Sequence, residues 1–100
     1  MKEKTMSRHH KLCQYHGGTW QPENIIKLNN HVHEAFHIVF GHETIVAELQ
    51  HLINMNASAM NPELVADLRK VLYHYRGKKE IDAYNPRCVN PDKFLLTINK

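Results

Sequence analysis

The spacing of apolar residues changes along the chain, and the change divides it into elements. Arg8–Leu12 and Ile25-Ile26-Lys27-Leu28 read as two short extended segments, separated by a turn-rich stretch from Cys13 to Asn24 that contains Gly17-Gly18 and Pro22. From His31 to Phe40 the apolar positions are Val32, Ala35, Phe36, Val39 and Phe40. Their i, i+3, i+4, i+7, i+8 spacing predicts an amphipathic helix, with Asn29-Asn30 to cap its start and Gly41 to end it. A second helix, over about Glu43–Ile53, follows the same spacing from Ile45 to Ile53. Asn61-Pro62 pairs a cap residue with proline at the first helical position, so a third helix is expected from there to about Tyr75, with Gly77 beyond its end. The tail from Lys78 is rich in turn residues, through Asn85-Pro86 and Asn90-Pro91, and a short strand is expected at Phe94–Ile98. The chain has no internal repeat and no low-complexity tract.

With 100 residues, 42% apolar and 23% charged, the composition is that of one globular domain with a modest core, so any activity must come from a compact site. The pattern is that of a small α+β protein: a core over about residues 8–41, a helical extension over about 43–76 and a tail over 77–100. The formal net charge of +3 gives mild affinity for polyanions. Basic residues gather at Lys2, Lys4, Arg8 and Lys11, and again from Arg69 to Lys79, so two patches could flank one site. No apolar run approaches the roughly 20 residues of a membrane span, and Met1–Lys11 is polar where a signal peptide would be apolar, so a cytoplasmic location and no membrane partner are expected. Cys13 and Cys88 are expected to be free thiols, buried as small apolar residues.

The chemistry lies in the nine histidines, most of which precede residue 43. His33 and His37 are four apart, so on a helix they point roughly 40° apart and one turn along the axis, close enough to hold one metal ion. They sit on the shoulder of the apolar stripe, which places them half-buried. His31 projects roughly 160° from His33 and should not join them. His42, His51 and His74 read as bystanders.

Arg8-His9-His10, then Gly17-Gly18, Asn24-Ile25 and His33-Glu34-Ala35-Phe36-His37, ending at Phe40-Gly41, resembles the HNH family of nucleases, whose fold is called ββα-metal. The resemblance covers about a third of the chain. It implies that His9, His33 and His37 bind one divalent ion (Zn, Mg, Mn or Ni), that His10 faces away from the ion as general base, and that Asn24 holds the inter-strand loop and orients that base. Arg8 would face the DNA backbone, assisted by Lys11 and His16. The implied activity is hydrolysis of DNA phosphodiester bonds, with the alternative of a non-catalytic metal-binding module that engages DNA or a protein partner, or forms a homodimer. The chain departs from the family where proline and basic residues commonly precede the Gly-Gly pair. Cys13 and Gln14-Tyr15-His16 stand there instead, which removes positive charge from the loop that would grip DNA.

His33-Glu34-Ala35-Phe36-His37 also matches the H-E-x-x-H signature of zinc peptidases, in which the glutamate is the general base. The extended form of that signature fails: Gly41 is one residue late and Glu43 stands where the third histidine should be. The peptidase reading leaves Arg8-His9-His10 and the Gly-Gly-to-Asn24 spacing as coincidences, so Glu34 is expected to be a helix-surface residue.

Overall fold

The computed structural model describes residues 5–98 of the chain. It is an α+β arrangement in which a two-stranded antiparallel sheet is followed by four helices. Lys2 and Lys4, part of the first basic patch, lie outside the described residues.

Strand β1 is Met6–His10 and strand β2 is Ile25–Asn29, paired from Met6↔Asn29 to His10↔Ile25. The first strand therefore begins and ends two residues earlier than expected. It stops at His10 because the next two amides are claimed by one residue: Lys11 N–H donates to the Asn24 carbonyl and Leu12 N–H to its side-chain oxygen.

Helix α1, Asn30–Phe40, starts where Asn29 accepts a hydrogen bond from His31 N–H and ends where Gly41 N–H donates to the His37 carbonyl. Helix α2 is Ile45–Asn56 and helix α3 is Pro62–Tyr75, the latter capped by Asn61 through the amides of Glu63 and Leu64. The N-terminus of α2 is satisfied from a distance, since Thr44 makes no side-chain cap bond. The Tyr84 hydroxyl accepts from Ile45 N–H, and the buried Glu80 carboxylate accepts from Val46 and Ala47.

The tail is where the pattern misleads. Residues 94–98 belong to helix α4, Pro91–Ile98, not to a strand. Proline at the first position, Asp92 in the first turn and the Phe94 N–H bond to the Asn90 carbonyl are all helix-start features. They outweigh the β propensity of a short apolar run.

The core is a cluster of Leu12, Cys88, Val89 and Phe94, against which Ile81 and Tyr84 pack. Both cysteines are free and buried, as expected. The Gly-Gly loop is bolted to this core: Gly18 bridges to Val89, and Gly17 adopts φ +91 with Asn90 N–H donating to its carbonyl. A Cβ on Gly18 would lie 1.7 Å from the Leu12 carbonyl oxygen, so only glycine fits. The tail thus packs behind the loop that borders the histidine cluster. Among the described residues, no helix is long and apolar enough to cross a membrane.

Candidate metal centre

His9 lies on β1 with its ring turned into α1, 4.5 Å from the Phe36 ring, 5.2 Å from His33 and 5.4 Å from His37 between centroids. The expected spacing on α1 brings His33 and His37 together on the same side, both half-buried. One ligand atom from each of the three histidines lies within 4.8 Å of the others, an arrangement that could hold a metal ion.

The hydrogen bonds around the trio favour that use. His33 Nδ1 is 2.6 Å from Ser7 Oγ and His37 Nδ1 is 3.0 Å from the Gly41 carbonyl. A carbonyl can only accept, so His37 carries its proton on Nδ1, and the Ser7 hydroxyl can hold His33 the same way. With Ser7 accepting from His33 Nδ1–H, both Nε2 lone pairs face each other at 3.0 Å and an ion between them would relieve the contact; with Ser7 donating, His33 Nε2–H donates to His37 Nε2 instead. That separation suits two nitrogens on one ion with bonds of about 2.0–2.1 Å. His9 adds a buried Nδ1 with no hydrogen-bond partner, which would cost about 1–3 kcal/mol if nothing ever bound there. The three residues present therefore fit a divalent ion.

Electrostatics point the same way. Burial, then the neighbouring His33 and His37, and least His10, push the His9 pKa down to about 4. His33 is lowered by burial and by His37. Both are thus neutral at physiological pH, the form a metal needs.

His10 borders the same site. Its ring meets the Trp20 ring edge-on at 4.3 Å, its Nε2 is buried without a partner, and burial followed by His33 lowers its pKa. It is not isolated from the trio, however. His10 lines a surface depression together with Arg8, His33, His37, Tyr15 and His42, and Cys13 and Gln14 complete its lining.

Asn24 is fully buried. Its amide nitrogen donates to the carbonyls of Leu12 and Thr19 at 2.9 Å and its oxygen accepts from Leu12 N–H at 2.8 Å. These bonds close the 11–24 loop, and they reach loop backbone rather than the His10 ring, so any effect on that ring is indirect.

Of the residues expected to meet nucleic acid, Arg8 lines the depression. Lys11 is exposed outside the lining. His16 is half-buried and turned inward, with its Nδ1 buried and unpartnered and its pKa lowered chiefly by burial.

His42, expected to be a bystander, borders the site: its ring is 5.5 Å from His37 and 6.0 Å from Tyr15. The chain reversal at Gly41, with φ +60, carries it back over the site. Only that glycine hinted at the return. Cys13 belongs to the same lining, its thiol donating to the His42 carbonyl at 3.4 Å.

No family model, curated protein or solved structure matches this chain.

Proposed function

We propose that this chain is a ββα-metal protein of the HNH type that hydrolyses phosphodiester bonds in DNA with the help of one divalent ion. The observation that carries the reading is the placement of a half-buried His10 beside three histidines with ligand atoms all within 4.8 Å of one another. Zn, Mg, Mn and Ni are the candidate ions.

When bound, a divalent ion would supply Lewis-acid charge at the scissile phosphate and its leaving oxygen. His9, His33 and His37 would hold it, with Ser7 and the Gly41 carbonyl fixing the orientation of two of the three rings. His10 would accept the proton of an attacking water. Its depressed pKa keeps it unprotonated, and so able to do this, at neutral pH. Arg8 at the rim would pair with a neighbouring phosphate, and Lys11 would add attraction from outside the depression. Asn24 would act at a distance as a positioning residue, by holding the loop that carries Trp20 against His10.

A second reading, a metal-binding module that engages DNA or a protein without cutting, draws on one observation. Arg8 is the one Lys or Arg side chain lining the depression, where Gln14, Tyr15 and His42 carry no permanent cation. A peptidase gains nothing from the geometry, because Glu34 is exposed and outside the depression.

Incubation of the purified protein with plasmid DNA and Mg²⁺, Mn²⁺, Ni²⁺ or Zn²⁺ tests the proposal. Nicking that is lost in both His10→Ala and His37→Ala is expected. A wild type that binds metal and cuts no nucleic acid would replace the nuclease with the module.

A further inference from the structure

The second basic patch of the sequence faces a groove of its own. Between Arg69 and Lys79 the chain carries five basic residues, Arg69, Lys70, Arg76, Lys78 and Lys79, and no carboxylate. Three side chains of this stretch come together. Arg69 and Tyr73 are four apart on α3 and so point roughly 40° apart, and Arg76 caps the helix three residues further on. All three line one groove, together with Leu72 of the same helix and Gln50 and Ile53 of α2. None of these residues belongs to the lining of the histidine depression.

The groove combines two kinds of group. Among the described residues no carboxylate pairs with Arg69 or Arg76, and none lines the groove. Each guanidinium is a permanent cation whose planar fork of N–H donors matches a phosphate. A cation at a helix C-terminus also answers the helix dipole, which would account for Arg76 but not for Arg69, two turns back. Between the two in sequence stands Tyr73, whose side chain is left 75% exposed. A ring so placed contributes little to the protein's own packing, yet it offers a flat apolar face between two phosphate-binding groups.

We propose that this groove binds a single strand of nucleic acid, with Tyr73 stacking on one base and Arg69 and Arg76 meeting the phosphates to either side of it. A cationic groove that follows the backbone and an aromatic side chain that takes a base are the two parts such binding requires. Any nucleotide within a strand has a phosphate on each side, so a base on the ring brings one towards each guanidinium. Bases inside a duplex are stacked on one another and present no face to Tyr73. An acidic peptide would satisfy the guanidiniums and leave the ring unused. The site needs neither the ion nor the cutting proposed for the histidines.

Fluorescence anisotropy of the full chain with a labelled oligo-dT of about 8 nucleotides, in the presence of chelator, is the test. Tyr73→Ala should weaken binding by about 10-fold or more, while Tyr73→Phe, which keeps the ring, should bind as wild type does. Arg69→Ala and Arg76→Ala should each flatten the dependence of log Kd on log salt by about 0.7. All three side chains are exposed and alanine favours helix, so helix content by circular dichroism should hold. Should Tyr73→Ala lose helix, Tyr73→Leu removes the ring with a residue that also favours helix. No binding of the strand by wild type, binding indifferent to loss of the ring, a loss equally large on a duplex of the same length, or poly-glutamate of equal charge bound as tightly would each overturn the proposal.

Discussion

Two hydrogen bonds set what His33 and His37 can do. Without Ser7 and the Gly41 carbonyl behind them, the rings could turn or shift tautomer and the converging lone pairs would be lost. Ser7→Ala should therefore leave the fold intact and weaken Zn²⁺ or Ni²⁺ binding by about 10-fold, within the usual range for an outer-shell partner, as measured by calorimetry. Asn24→Ala should act on the fold instead. It removes two buried hydrogen bonds and one half-buried one, stranding Leu12's amide and carbonyl, so a loss of about 2–4 kcal/mol in urea denaturation is expected. His33 and His37 were legible in the sequence because helical spacing alone brings them together, whereas His9 joined them only through the family resemblance. The place of His42 was not legible, since it depends on a positive-φ turn that the letters after Phe40 signal only through Gly41.

At the level of elements, the loop that borders the site depends on segments remote in sequence. Gly18→Ala would drive a methyl group into the Leu12 carbonyl, and a destabilisation above about 2 kcal/mol should follow, with cooperative unfolding at a lower urea midpoint. The start of α2 is built from acids under burial. Burial, and then Glu43, raise the Glu48 pKa from 4.5 to about 7. The folded state thus holds a proton that the unfolded chain releases, and the associated stability is complete below about pH 4.5 and lost as pH rises through about 7. Glu48→Gln should remove up to about 3 kcal/mol of difference between stabilities measured at pH 5 and pH 8. A variant whose pH dependence matches wild type would show that Glu48 is well solvated. Strands β1 and β2 and helices α1, α2 and α3 could be read from periodicity and caps to within a few residues. Helix α4 could not, because a five-residue apolar run has no period long enough to tell strand from helix, and only Pro91 and Asp92 before it break the tie.

For the molecule as a whole, metal should act as a ligand of the folded state. At a hundredfold excess over Kd, a divalent ion would stabilise by about 2.7 kcal/mol, enough to raise Tm by on the order of 10 °C for a chain of this size. Calorimetric scans with Zn²⁺ or Ni²⁺, before and after chelation, should show that rise in wild type and not in His33→Ala. What periodicity and motif could not supply was the arrangement of the tail, since its packing against Gly17 and Gly18 is a long-range pairing with no local signal.

That pairing also orders events in time. All three histidines of the trio have been made by residue 37, whereas the Gly-Gly loop is held by Val89 and Asn90. At about 5–20 residues per second, a chain being synthesised would carry the trio for several seconds before the loop beside it could set. The border of the site is therefore closed by the last part of the chain to be made.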